Sequence, residues 1–212
     1  MSMSAPHELP FSGDPRADEL LAREPMALLI GFVLDQQVSV QKAFSGPLEL
    51  QRRVGSIEAA AIAAMDPDDL EAVFRAQPAL HRFPADMARR TRALCAVIVE
   101  TYGGDARRIW TEAADGPDLE ARLLALPGIG AMKAKVLLVI LSRRFGLRLP
   151  GLDASLPDYA TLGDVDSAAA LAAYQAQKRA AKQARKAGAT GDAPTGGGSD
   201  QGASQALASG VD

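Results

Sequence analysis

The chain has 212 residues, of which 48% are hydrophobic, and a formal net charge of −3. This composition suffices for one core or a compact two-lobed one, and it excludes a nucleic-acid binder that works by bulk positive charge. The single cysteine, Cys95, excludes an intramolecular disulfide and a four-cysteine iron–sulfur cluster, and its apolar surroundings predict a small buried hydrophobe. The first ten residues are unlike a signal peptide and the longest apolar run, 25–34, is too short to cross a bilayer, so we expect a cytoplasmic protein.

Hydrophobic periodicity predicts helices through the first half of the chain. Residues 1–14 are expected to form a flexible arm that Phe11 could fix to the core. Residues 25–35 are nearly all apolar and predict a buried central helix that ends in Gln36-Gln37. The other helices expected here, with a break at Gly46-Pro47 and a loop at 78–84, span 15–23, 39–44, 48–54, 56–65, 66–75 and 84–102.

A glycine-containing turn dominates the second half. A short helix over 117–125 and a second helix over 131–144 flank Leu126-Pro127-Gly128-Ile129-Gly130. Glycine tolerates positive φ and lets another backbone come close, and the N-terminus of a helix favours an anion. Helix, turn and helix therefore predict a preformed phosphate grip.

The remaining segments complete an all-α prediction of nine or ten helices without a strand. Residues 145–166 are expected to be loop, 167–187 a basic helix capped by Asp166, and 188–212 a disordered tail. From Ser167 onward the net charge is +2, which leaves −5 for residues 1–166. Tyr174, Lys178, Lys182 and Arg185 fall near one face of the basic helix, as either a phosphate-binding strip or a solvated surface.

The turn and its helices resemble the helix–hairpin–helix of the base-excision DNA glycosylases, the HhH-GPD superfamily. Leu34 to Val40, with the sequence LDQQVSV, resembles the Ser-Gln-Gln segment of 3-methyladenine-type and adenine glycosylases. The resemblance covers roughly residues 20–160 and is greatest to a bacterial branch that lacks an iron–sulfur cluster. It implies an all-α, two-lobed helical fold over 15–166 and a monomer that acts on double-stranded DNA in base-excision repair.

The resemblance also bears on ions and on the type of glycosylase. It implies no cofactor other than K⁺ or Na⁺ held by the carbonyls of 126–130 when DNA is bound, and no His/Cys/Asp set has the spacing of a zinc site. Bifunctional members carry a lysine two residues after the last hairpin glycine, and that position is Met132 here. We therefore expect a monofunctional enzyme that hydrolyses the N-glycosidic bond, or a damaged-DNA binder that has lost catalysis. Lys133 and Lys135 are expected either to meet backbone phosphates or to be solvated helix lysines.

The catalytic carboxylate implied by the resemblance is Asp153, seven residues after Gly146, although Leu-Asp-Ala-Ser stands where the family has Val-Asp-Thr-His. A helix cap or turn residue is the alternative for Asp153, and Asp158 is a second candidate.

We expect Gln36, Gln37 and Met132 to line the lesion pocket. The alternative for the glutamines is that one of them caps its helix or bridges buried backbone groups. Asp35 could be a pocket acid or a capping residue. His81-Arg82-Phe83 could stack on or wedge into DNA, or could form an interhelical loop with Phe83 buried.

Overall fold

The computed structural model describes residues 6–189, except for the side chains of residue 182 and residues 185–189. Every regular element in this part of the chain is helical, so the all-α prediction is confirmed there. The α-helices are α1 (Pro15–Arg23), α2 (Pro25–Leu34), α3 (Val40–Val54), α4 (Ala59–Ala64), α5 (Pro67–Arg75), α6 (Pro84–Tyr102), α7 (Arg108–Thr111), α8 (Gly116–Leu124), α9 (Ala131–Val139), α10 (Leu152–Ser155) and α11 (Ala168–Ala189). A π-helical turn, Ile140–Arg144, continues α9, and a 3₁₀ turn spans Leu162–Asp164.

The central element is α2, in which every residue from Met26 to Leu34 is buried. A Cβ placed on Gly31 would lie 2.6 Å from Cδ1 of Phe44, so the missing side chain is what lets α3 pack closely on α2. A Cβ placed on Gly46 would likewise lie 2.5 Å from Cδ1 of Leu34, so this glycine also allows the close packing of α3 on α2. The predicted break at Gly46-Pro47 is therefore wrong: α3 runs through both residues because packing against α2 outweighs the missing N–H of Pro47.

The N-terminal segment packs on this core from residue 9 onward. Leu9 and Phe11 are buried, and the ring of Phe11 contacts that of Phe44 edge-on at 5.3 Å between centroids. The carboxylate of the buried Asp18 accepts hydrogen bonds from the backbone N–H groups of Phe11 and Ser12 and from the Ser12 hydroxyl. Residues 1–5 of the expected flexible arm lie outside the described residues.

Capping and periodicity predict α5 and α6 well. Asp66 caps α5 by accepting from the N–H groups of Asp68 and Asp69. The helix α6 ends at Gly103, which has a φ of +63°. Cys95 is buried in α6, as predicted, and burial raises the pKa of its thiol to about 12.

The second half departs from prediction at its helix ends. The helix expected over 131–144 is α-helical only to Val139, and α10 and the 3₁₀ turn form inside the expected loop at 145–166. The hydroxyl of Ser167, rather than Asp166, accepts the N–H of Ala170 at the start of α11. The described residues up to Gln175 pack as one compact unit, and the rest of α11 belongs to a separate unit.

No helix in the range 6–189 combines the length and the hydropathy needed to cross a membrane. The division of the compact unit into two lobes stays a prediction.

Candidate nucleic-acid interface

The predicted hairpin is formed by α8, a turn at 125–130 and α9. The turn is fixed from inside by Leu126 and Ile129, which are buried, and by a hydrogen bond from the Ile129 N–H to the Leu126 carbonyl at 3.1 Å. Pro127 and Gly128 are half-buried, whereas Gly130 is exposed. The turn therefore presents its last glycine, rather than its apolar residues, to solvent.

The two glycines of the turn have different reasons to be glycine. Gly128 has a φ of +83°, and a Cβ there would lie 3.2 Å from Cγ2 of Val33 in α2. Gly130 has an extended backbone, with φ −93° and ψ 178°, and open space where its Cβ would be. Gly128 thus lets the turn pack on α2, and Gly130 keeps the entrance to α9 clear.

The N-terminus of α9 is open. Gly130 is its N-cap, no side chain caps it, and Ala131 and Met132 in its first turn are exposed. The first N–H groups of a helix have no partner within the helix and carry the positive end of its dipole. This end of α9 can therefore accept a phosphate.

Lys133 points inward. Its Nζ donates to the carbonyl of Phe32 at 2.5 Å and to the carbonyl of Gly128 at 3.2 Å, so it joins the C-terminal turn of α2 to the hairpin. Burial lowers the pKa of this ammonium, with a smaller lowering from Arg90, and the charge of Asp35 opposes both. In this arrangement Lys133 holds the hairpin in place, and its predicted contact with phosphate would require it to leave both carbonyls.

Lys135 is also engaged within the protein. Its ammonium lies 2.9 Å from the Glu120 carboxylate of α8 and 2.8 Å from the carbonyl of Ser155 in α10. Neither hairpin lysine therefore directs its charge to solvent as the phosphate prediction expects, and that role stays a prediction for both.

Gln36 lies at the other side of the same junction. Its side-chain amide donates to the carbonyl of Val33 at 3.1 Å and accepts from Arg90 at 3.3 Å. Its backbone carbonyl is 3.0 Å from Nε2 of His81. Both the side chain and the backbone of Gln36 thus hold the junction together, which is the bridging alternative that the sequence left open.

Gln37 is exposed and has a φ of 56°. Positive φ is uncommon for a residue with a side chain, and such residues cluster at functional sites. Of the two glutamines, Gln37 is the one whose side chain can reach a ligand from solvent.

The loop before α6 presents an aromatic and a cation beside this junction. Nδ1 of the buried His81 accepts the N–H of Phe83 at 3.1 Å, so the proton is on Nε2, which donates to Gln36. Burial lowers the pKa of His81, the backbone carbonyls of Gln36 and Leu34 oppose that effect in part, and the charges of Arg82 and Lys42 add a smaller lowering. Phe83 is 40% exposed rather than buried, and the Arg82 guanidinium lies 4.8 Å from the centre of its ring.

Large apolar side chains are exposed around the hairpin. Leu124 ends α8, Met132 is in the first turn of α9, and the hydroxyl of Tyr159 lies 3.6 Å from the Met132 sulfur. Their exposed fractions are 44%, 65% and 49%. Concentrated apolar exposure marks a binding surface. Tyr159 has no place in the sequence prediction, because its position beside Met132 depends on the return of the chain after α10.

Asp153 is an exposed residue of α10, which packs on both helices of the hairpin. A Cβ on Gly116, at the start of α8, would be 2.5 Å from Cα of Leu152, and the carbonyl of Ser155 accepts the Lys135 ammonium of α9 at 2.8 Å. The short helix α10 therefore lies beside the hairpin, and the role of Asp153 as the catalytic carboxylate stays a prediction. Asp158 is exposed as well.

The expected monovalent cation at the hairpin stays a prediction, and three of the carbonyls that it would use have partners within the protein. Those of Leu126 and Gly130 accept backbone N–H groups, and the ammonium of Lys133 lies at that of Gly128, where its charge opposes a second cation. Nowhere in the described part of the chain do three His, Cys, Asp or Glu side chains group as a metal site.

Comparison of this chain with protein-family models, with curated proteins and with solved structures gives no match. The geometry of the hairpin and its neighbours is therefore the basis for assigning a function.

Proposed function

We propose that this protein binds duplex DNA through the 126–130 turn and acts in base-excision repair as a monofunctional DNA glycosylase. The observation that carries the proposal is the uncapped N-terminus of α9 behind an exposed Gly130, at a junction that also holds the Gln36-Gln37 segment. Backbone N–H groups at a helix N-terminus bind phosphate without reading sequence, which suits an enzyme that must search DNA for damage.

The second part of the proposal concerns the damaged base. A base must leave the stack before its glycosidic bond can be reached, which costs a few kcal/mol. Proteins offset that cost by inserting side chains into the gap. The exposed Gln37 and the stacked Arg82–Phe83 pair are the groups that we assign to the gap, and Met132 with Tyr159 is the apolar surface that we assign to the extruded nucleotide.

The reaction proposed is hydrolysis rather than lyase chemistry. A Schiff base needs a free amine at the sugar, and the position after the hairpin that would supply it is Met132. The neighbouring Lys133 is held by two carbonyls. Water is therefore the nucleophile, and a carboxylate stabilises the oxocarbenium-like sugar.

A second candidate function is recognition of damaged or bent DNA without cleavage. The observation that favours it is Asp153, the carboxylate that the resemblance implies, which is exposed on α10 and stands in Leu-Asp-Ala-Ser instead of the family's Val-Asp-Thr-His. A protein that has kept the hairpin but lost the carboxylate would bind lesion duplexes and leave them intact.

One assay separates the two. Duplexes with an alkylated, deaminated or oxidised base are incubated with the protein and then heated in alkali, which cuts the strand wherever a base is missing. The glycosylase proposal predicts cleavage of at least one duplex after alkali, none before it, and no borohydride-trapped adduct. Binding without base release supports the second candidate, and absence of duplex binding at low salt refutes both.

A further inference from the structure

Asp35 occupies the junction between the end of α2 and the hairpin, which the proposed function needs. It is the C-cap residue of α2, it is half-buried, and it lies directly before Gln36 and Gln37. Three residues earlier, the carbonyl of Phe32 receives the Lys133 ammonium at 2.5 Å. The last turn of α2 is therefore fixed to the hairpin itself.

Charged and titratable groups from three elements lie at this junction. Lys133 of α9 interacts with the charge of Asp35. Arg90 of α6 donates to the Gln36 side chain and pairs with Asp86, and His81 contacts the Gln36 carbonyl. Lys42 of α3 lies near His81. Asp35 thus has the Lys133 ammonium as a neighbouring cation and stands in the chain directly before the residue that Arg90 and His81 contact.

We propose that Asp35 is the catalytic carboxylate of this protein. The inference rests on the proposed glycosylase function and names the residue that performs its chemistry. As the bond between C1′ and the base nitrogen breaks, its electron pair leaves with the base, and the Asp35 carboxylate stabilises the positive charge on the sugar. Water then forms the C1′–O bond and gives its proton to Asp35, while the departing base takes a proton from solvent.

The test compares two matched variants, Asp35→Asn and Asp153→Asn, in single-turnover base release from a duplex that the wild type cleaves. We expect Asp35→Asn to slow base release by about 100-fold or more, since an electrostatic or general-base group contributes on that scale. Duplex affinity and the urea midpoint should stay near wild type. Asp153→Asn should release base at the wild-type rate.

The pH profile separates a chemical role from a structural one. Base release by the wild type should fall at low pH as a carboxylate is protonated, and Asp35→Asn should lose that limb. If Asp35→Asn does not fold, Asp35→Glu is measured in its place. The longer side chain of this variant displaces the carboxylate, which should slow base release and shift the acidic limb of the pH profile. A wild-type rate with an unchanged pH profile in Asp35→Glu overturns the inference.

Failure of this inference differs from failure of the proposed function. Loss of base release in Asp153→Asn, with Asp35→Asn active, overturns the role of Asp35 and leaves a glycosylase. A wild type that releases no base from any lesion duplex overturns the glycosylase and Asp35 together.

Discussion

The two glycines of the hairpin turn should respond in opposite ways to the same substitution. In Gly128→Ala the alanine must keep a backbone φ of +83°, and its Cβ would lie 3.2 Å from Cγ2 of Val33. Left-handed backbone costs a residue with a Cβ about 1–2 kcal/mol, and the close approach to Val33 adds to that. In Gly130→Ala the backbone is extended and the space is open, so we expect a loss of only about 0.5 kcal/mol, from a poorer N-cap.

DNA affinity should show the reverse order. The methyl group of Gly130→Ala stands where a phosphate must approach the first N–H groups of α9. Weakening one or two hydrogen bonds to a charged group, each of which contributes about 1.5–3 kcal/mol when fully formed, should reduce affinity by about tenfold or more. Gly128→Ala changes a position that faces Val33, so it should reduce affinity less.

Urea unfolding and duplex titration at low salt measure the two quantities. Trp110 is the single tryptophan and is buried, so its fluorescence reports unfolding. An unchanged duplex affinity in Gly130→Ala would refute the assignment of the α9 N-terminus to phosphate. An unchanged stability in Gly128→Ala would refute the packing of the turn on α2.

Further predictions concern the lysine, the histidine, the exposed aromatic and the basic helix. Lys133→Met should lower the free energy of unfolding by about 1–3 kcal/mol in urea, because the carbonyls of Phe32 and Gly128 lose a charged donor. Burial lowers the pKa of His81 below 6.5, so the unfolded protein binds a proton at this histidine more readily than the folded protein does. The contribution of His81 to the free energy of unfolding should therefore be complete above pH 6.5 and decrease as the pH falls below it. Phe83→Ala should bind intact duplex like the wild type but lose the fluorescence increase of a 2-aminopurine placed at the lesion, because the base stays stacked. Changing Lys178 and Arg179 to Gln should make the dependence of log duplex affinity on log salt shallower by about 0.9 for each phosphate that the variant no longer neutralises.

Two of these predictions have a comparison variant, and the other two are decided by the variant itself. His81→Gln should flatten the pH dependence of the urea midpoint between pH 5.5 and 7.5, and a dependence that survives in this variant would contradict the assignment. Arg75→Gln and Glu71→Gln remove a surface ion pair of α5 and should leave the salt dependence unchanged. A stability equal to wild type in Lys133→Met, or a 2-aminopurine signal retained in Phe83→Ala, would contradict the role given to that side chain.

Local signals predict those elements whose ends are set by their own residues. Asp66 with Pro67 starts α5 and Gly103 stops α6 because a cap acts within one turn. The break expected at Gly46-Pro47 fails because its outcome depends on how closely α2 approaches. A residue's local preference gives way there to burial against a partner that the local sequence does not reveal.

The candidate site shows the same limit. The turn at 126–130 and the Gln36-Gln37 segment can be found from sequence, since each has a local pattern. The inward direction of the Lys133 side chain cannot be predicted from sequence, because it depends on where the Phe32 carbonyl lies after folding. The position of Asp153 relative to the turn is set by the packing of α10 on Gly116, which lies outside the matching pattern.

The most direct test of the central claim is backbone amide NMR of the full chain titrated with a lesion-containing duplex at low salt. If phosphate is held by main-chain N–H groups, the largest shift changes should fall on Gly130, Ala131 and Met132, and the shifts of α5, which lies away from the turn in sequence, should stay in place. Saturable duplex binding that leaves these three amides unshifted would contradict the account.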